Sequence, residues 1–415
     1  MIQVGVGRSD LEDSLAAGKE AAGIACSEVG CGTTFSLMFC SVKFEIEKVL
    51  EGVRSVITGP MMGCSTAGEI TNKGVSTGSV VVMCIKSDKI TVGLGVGENI
   101  GQDARKAGQN SAASAIKELG EEMRTASQIF VKTKSGKFAN LTPFSMITLP
   151  DALTGGGADV VRGITDVVGL HFPVVGGSPG DDLQMKKTYE FCNDKIYSDA
   201  VVSAVLRSDL VTGFGVRHGW HPVGKPMIVT KSKGGQVYEI DGQPAIKAYE
   251  EFFGKEITEE ALGKEFSMNS LGIPAWESEY RLRWPILKKE DSSIICAGEI
   301  PQDSVVRIME GDEASAIAAA KAAAREAMIS ADEPDEIAAC IVFDCISRKQ
   351  LLGDRAGKEI EAIQSVVGKE TPLIGFYTYG EQAPTSGAPA GFHNQTVVVY
   401  IISKTTEGEM VARSI

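Results

Sequence analysis

Gly59-Pro-Met-Met-Gly-Cys-Ser-Thr-Ala-Gly-Glu-Ile70 and Leu373-Ile-Gly-Phe-Tyr-Thr-Tyr-Gly-Glu-Gln382 follow one pattern. Each reads apolar residue, Gly, a run rich in Ser, Thr or Tyr, then Gly-Glu. Val174-Val-Gly-Gly-Ser-Pro-Gly-Asp-Asp182 is a third copy, one residue shorter. The flanks recur too. Before the loops stand Glu45–Gly52, Ala158–Gly169 and Glu359–Gly368, each with apolar residues at helical spacing and a closing Gly suited to a helix end. Further upstream lie β-like runs, Phe35–Cys40, Phe144–Leu149 and Ala339–Asp344; downstream lie Ser79–Ile85, Ala200–Leu206 and Gln395–Ile402.

Longer helices open the units. Ser9-Asp-Leu-Glu12 has capping-box spacing, Asp103 caps a segment ending at Gly120, and Asp312 caps the Ala-rich run Glu313–Ser330. Strands are expected ahead of them at Ile2–Gly7, Ile90–Gly97 and Ser304–Met309. The reading is an α/β fold: mixed β-sheets covered by helices, built from three β-α-β-α-β-β units plus an irregular insert. That insert, about 212–300, lies between the second and third units and holds a hairpin at Ile228–Ile240 and a helix at Ala245–Phe253. Two domains are expected, 1–210 and 211–415.

Gly-rich strands recur as Val4-Gly-Val-Gly7, Val92-Gly-Leu-Gly-Val-Gly97 and Thr212-Gly-Phe-Gly-Val216. They lack the spacing of a dinucleotide fingerprint, and Gly inside a strand marks close packing by a helix or another backbone. The Lys-Ser/Thr ending of a P-loop is absent, so nucleotide hydrolysis has little support; no cofactor is expected.

The 415 residues carry 41 Lys plus Arg against 54 Asp plus Glu, a net charge of −13, which repels nucleic acid and anionic membranes. Nine Cys, an odd number without a CxxC pair, fit buried reduced thiols in the cytoplasm. Met1-Ile2-Gln3-Val4-Gly5 has no basic or long apolar leader, so neither export nor membrane insertion is expected.

The loops supply the candidate ligand contacts: Ser65, Thr66, Gly68 and Glu69; Ser178, Gly180 and Asp181; Tyr377, Tyr379 and Glu381. Glu69, Asp181 and Glu381 share one position, where a carboxylate either binds an ammonium or hydroxyl or accepts N–H bonds from its own turn. Gly156, in Leu153-Thr-Gly-Gly-Gly-Ala-Asp159, precedes a helix whose free amides suit an anion. His218-Gly-Trp-His221 offers two metal ligands without a third, so no metal is expected and His218 contacts ligand or structure. Asp344, Cys345 and Arg348 end a strand, where ligands of α/β proteins sit; His393 and Asn394 follow a Gly/Pro-rich turn.

These segments together resemble the FIST family, the F-box and intracellular signal transduction proteins. Gly63–Glu69, Val175–Asp182 and His218–Pro222 look like its N-terminal part. Ile240–Ala245, Phe343–Arg348, Gly375–Glu381 and His393–Thr396 look like its C-terminal part. The resemblance implies a sensory module for small ligands such as amino acids, often fused to an output domain. None is seen before Ile415, so any signal is expected to pass to a separate partner. Two other readings stay open: an enzyme with Cys345 as nucleophile and His393 as base, which needs the pair within hydrogen-bond reach, and a protein-interaction adaptor, which needs an exposed apolar patch and no enclosed pocket.

Overall fold

The computed structural model describes residues 1–30, 32–120, 129–132, 138–258, 268–275, 279–385 and 388–406. Cys31, one of the nine thiols of the sequence reading, lies outside them. The first unit runs β1 (Ile2–Ser9), α1 (Ser14–Val29), β2 (Phe35–Ser41), α2 (Ile46–Arg54), β3 (Met61–Thr66), the short hairpin β4 (Glu69–Thr71) and β5 (Gly74–Ser76), and β6 (Val80–Ser87). The second runs β7 (Ile90–Glu98), α3 (Ile100–Leu119), the hairpin β8 (Ile129–Lys132) and β9 (Phe138–Leu141), β10 (Phe144–Pro150), α4 (Gly157–Val168), β11 (Val174–Gly177), the hairpin β12 (Glu190–Cys192) and β13 (Lys195–Tyr197), and β14 (Ala200–Ser208).

Next comes β15 (Leu210–Arg217), then an insert: β16 (Trp220–Pro222), β17 (Met227–Lys233), β18 (Gln236–Ile240), β19 (Gln243–Pro244), α5 (Ile246–Phe253), β20 (Leu271–Pro274), β21 (Tyr280–Arg283), β22 (Pro285–Lys288), β23 (Ile294–Cys296) and β24 (Val305–Gly311). The third unit resumes with α6 (Glu313–Ser330), β25 (Ile337–Cys345), α7 (Ile346–Leu352), α8 (Gly357–Val367), β26 (Leu373–Thr378), the hairpin β27 (Glu381–Thr385) and β28 (Ala388–His393), and β29 (Val397–Thr406).

Three six-stranded sheets share one order. They are β1-β6-β2-β3-β12-β13, β7-β14-β10-β11-β27-β28 and β15-β29-β25-β26-β4-β5. In each, the last two strands are a hairpin lent by another unit: the second lends to the first, the third to the second, the first to the third. The exchange closes a ring. The pairs β2–β3, β10–β11 and β25–β26 are parallel, and the joins to the lent hairpins antiparallel. One hydrophobic core draws on all three sheets, including Phe39, Val81, Leu149, Val202, Phe343 and Phe376. Phe39 and Phe376, from different units, have ring centroids 4.6 Å apart. Separate layers under α1, α3 and α6 cover the outer faces. Hence β2, β3, β10, β25 and β26 are buried along their whole length, as their unbroken apolar runs require.

The Gly-rich strands explain how the helices sit. A Cβ on Gly7 would lie 1.9 Å from the Ala21 carbonyl oxygen; on Gly95, 2.0 Å from that of Ser111; on Gly215, 2.1 Å from that of Ala323. Each helix meets its strand through small residues, so backbones touch where a side chain has no room. This corrects the sequence reading of the third unit. Its opening strand is β15, which pairs with β29 and packs on α6, whereas the expected strand at Ser304–Met309 belongs to the insert's own sheet. The insert therefore interrupts the third unit between strand and helix. At Asp209 the chain steps from β14, in one sheet, to β15, in another.

Helix starts follow side-chain chemistry. Asp312 and Ser315 form a capping box, and Asp103 accepts the Lys106 amide at 2.9 Å where α3 kinks. The start of α1 differs from expectation: Asp13 caps it, accepting the Ala16 amide at 2.7 Å, because Ser9 is held in β1 opposite Val80.

Candidate functional site

The three loops meet one another. Ser65 N–H donates to the Tyr189 carbonyl at 2.9 Å, and Gly180 N–H to the Ser65 carbonyl at 3.0 Å. Ser65 Oγ donates to the Gly180 carbonyl at 2.7 Å. Tyr377 N–H donates to the Gly68 carbonyl at 2.8 Å, while Ser178 N–H reaches the Gly380 carbonyl at 2.7 Å. The pairwise bonds make a solid junction. Each acid then fixes its own bend. Glu69 accepts from Thr66 Oγ1 (2.5 Å), Ser79 N–H (3.0 Å) and Ser79 Oγ (2.7 Å). Glu381 accepts from Thr378 Oγ1, from Thr396 N–H (3.1 Å) and from Thr396 Oγ1 (2.7 Å). Burial pushes both carboxyls up to about 7, against these hydrogen bonds.

By register the third member of this set is Glu190. Glu69 opens β4 opposite Phe376, Glu381 opens β27 opposite Gly177, and Glu190 opens β12 opposite Cys64. Its Oε2 is buried without a hydrogen-bond partner among the described residues, and burial raises its pKa. Asp181 sits earlier, inside the loop. It accepts the amides of Met185 (2.9 Å), Lys186 (2.6 Å) and Lys187 (3.0 Å) and the Tyr379 hydroxyl (2.6 Å). These bonds hold Asp182, Leu183 and Met185 at φ of 52°, 63° and 53°, a region costly to side-chain-bearing residues. The loop presents Leu183 and Met185 to solvent, 46% and 51% exposed.

Those two side chains stand at the mouth of a cavity of about 580 Å³. One wall is the loop from Ala152 to Asp159. A second is the insert, with Lys233–Gln236, Trp284, Ile286 and Ile295–Glu299. A third is Cys345–Ser347, Tyr379, Phe392 and Asn394 of the third unit. Gly155 and Gly156 adopt φ of 83° and 75°, and no side chain caps α4 behind them, so the first-turn amides remain for an anion. Among the described residues Trp284 Nε1 and Asn394 Oδ1 are buried without hydrogen-bond partners, one donor and one acceptor left for a guest. Of the sequence candidates, Gly156, Cys345, Tyr379 and Asn394 line this cavity; Ser65, Thr66, Gly68, Glu69, Ser178, Gly180, Asp181, Tyr377 and Glu381 do not.

Asp344 and Arg348 form a buried cluster elsewhere. Arg348 donates to Asp344 Oδ1 (3.0 Å), Glu359 Oε1 (2.6 Å), the Ala316 carbonyl (2.8 Å) and the His218 carbonyl. With its donors spent inside the protein, it pins α6, α7 and α8 to the start of the insert. Burial, then Glu381, pushes the Cys345 thiol up, the opposite of an activated thiolate. His393 lies in a different, smaller cavity, and its Nε2 is 3.0 Å from the Ala383 carbonyl oxygen. Among the described residues no group of His, Cys, Asp and Glu is arranged to hold a metal, and no helix is long and apolar enough to cross a membrane.

Fold and cavity describe an α/β protein with a cavity of about 580 Å³ between α4, the insert and the third unit. A family model for the FIST N domain matches residues 34–243 and one for the FIST C domain matches residues 245–384. The chain belongs to the FIST family, whose domains are sensory, signal-transduction modules. An uncharacterised protein of Methanocaldococcus jannaschii is 34% identical over 103 residues, 23% of this chain; the match spans only 19% of that relative. The crystal structure of cyanuric acid hydrolase from A. caulinodans aligns over 97% of this chain and 100% of that one, at 12% identity and a TM-score of 0.34. A likeness so distant carries no argument about fold or chemistry.

Proposed function

We propose that this protein is a cytoplasmic sensor that binds a small polar metabolite, such as an amino acid, in the cavity between α4, the insert and the third unit. The carrying observation is the pairing of an uncapped helix start with two buried, unpartnered polar atoms in one 580 Å³ space. A carboxylate meets the amides of Gly157 and Ala158, an amine or hydroxyl donates to Asn394 Oδ1, and an apolar portion lies against Trp284, Ile286 and Phe392. The walls come from separate segments, so an occupant draws the insert towards α4 and closes Leu183 and Met185 over the mouth; a separate partner reads that closure.

A thermal-shift screen with the amino acids and common metabolites tests the reading. A ligand at one hundred times its Kd adds about 2.7 kcal/mol, several degrees of melting temperature. A flat response across the library speaks against small-ligand sensing.

A further inference from the structure

A second cavity, about 70 Å³, opens between β21 and the corner that joins β28 to β29. It shares no lining residue with the larger one and includes Arg217, His218, Glu279, Arg281, His393 and Thr396. We propose that it is a binding site for a small oxyanion, with Arg281 and His218 as the groups that hold it.

Two deficits point to an anion. The Arg281 side chain is half-buried on the edge strand β21 and has no ion pair or hydrogen bond among the described residues. Arg217, by contrast, is bound at 3.1 Å by Glu326 and has Glu279 at 3.9 Å. A guanidinium withdrawn from water without a counterion is costly. The second deficit is at His218, which is 8% exposed. Its Nδ1 accepts the Trp220 amide at 2.8 Å, which puts the proton of the neutral ring on Nε2. That Nε2 is buried and lacks a hydrogen-bond partner among the described residues; Glu279 Oε2, at 3.5 Å, belongs to a side chain 40% exposed to water.

One oxyanion answers both, accepting a forked pair of bonds from Arg281 and one from His218 Nε2. Size narrows the class. Pockets for drug-sized molecules run to about 300–1,000 Å³, whereas this one admits a phosphate, a sulfate or a single carboxylate head. Glu279, 40% exposed at the rim, opposes every anion that enters and must turn its carboxylate towards water when one binds.

Inorganic phosphate and acetate, each compared with chloride at equal ionic strength, are the probes. Phosphate is expected to raise the melting temperature above the chloride value and to shift the His218 ring resonances in NMR; acetate in its place marks the site as a carboxylate pocket. Arg281→Gln should weaken binding at least tenfold and abolish the stabilisation, yet melt no lower than wild type in chloride, because it removes a charge with no counterion among the described residues. The assignment is overturned if neither anion stabilises wild type beyond chloride, or if the variant keeps the response. It is also overturned if the variant melts lower in chloride or fails to fold, since Arg281 is then structural.

Discussion

Glu69 lies opposite Phe376, so a residue of the first unit opens the hairpin that completes the sheet of the third. Glu381 opposite Gly177 and Glu190 opposite Cys64 repeat the relation around the molecule. Each unit thus supplies strands to a neighbour, and none has a finished sheet alone.

Fragments 1–209 and 210–415 are therefore expected to be unstable separately and to assemble when co-expressed. Size-exclusion chromatography and amide dispersion in NMR check this. A dispersed spectrum from either fragment alone would show that the lent hairpins are dispensable.

Close backbone contact at the opening strands gives a second expectation. Gly7→Ala and Gly215→Ala each drive a methyl into a helix carbonyl, at a cost of about 1–3 kcal/mol or more. Gly23→Ala, where nothing lies within 4 Å, should be neutral or slightly stabilising. Urea unfolding compares the three.

The same glycines show how much of the fold was legible. Val4-Gly-Val-Gly7, the run at 92–97 and Thr212-Gly-Phe-Gly-Val216 are the three opening strands, and the sequence already marks them as sites of helix packing. The third was displaced by β24, which also precedes an Asp-capped helix although it lacks the Gly-X-Gly of the other opening strands. The hairpin exchange left almost no trace, because β4–β5 and β12–β13 have three residues per strand and pair with distant partners. Glu190 was masked by the longer loop that Asp181 organises, and Thr188 two residues before it was the only cue. The Gly156 turn was readable from its three glycines. The opposite walls, Trp284 and Phe392, come from segments without periodic pattern and meet it only in the folded chain.

Titration of Glu69 and Glu381 has an unusual sign. Both are raised to about 7 from an ordinary 4.5, so the folded state holds more protons between those values and stability falls as pH rises from 4.5 through 7. Each contributes on the order of 3 kcal/mol across that window. His218, lowered to about 4, and His393, also lowered, act oppositely and cost stability as pH falls below 6.5. Glu381→Gln should therefore reduce the decline between pH 6.5 and 8, a range in which the histidine contribution is small and the same in both proteins. Melting curves across that range decide it; an unchanged slope means Glu381 is ionised throughout.

Asp181→Ala leaves the amides of Met185, Lys186 and Lys187 and the Tyr379 hydroxyl without their acceptor. A loss of about 1.5–3 kcal/mol is expected, with faster proteolysis at Leu183–Met185. Equal cleavage rates would show that the loop holds its shape without the carboxylate.

The most direct test of the sensing account fills the large cavity. Ala158, at the start of α4, lines it, and Ala158→Trp should occupy the space in front of the helix amides while leaving the three-sheet core untouched. Calorimetric titration with a ligand from the screen should show affinity at least tenfold weaker than wild type at an unchanged melting temperature. Wild-type affinity in the filled variant would contradict the account, because the ligand would then bind somewhere other than this cavity.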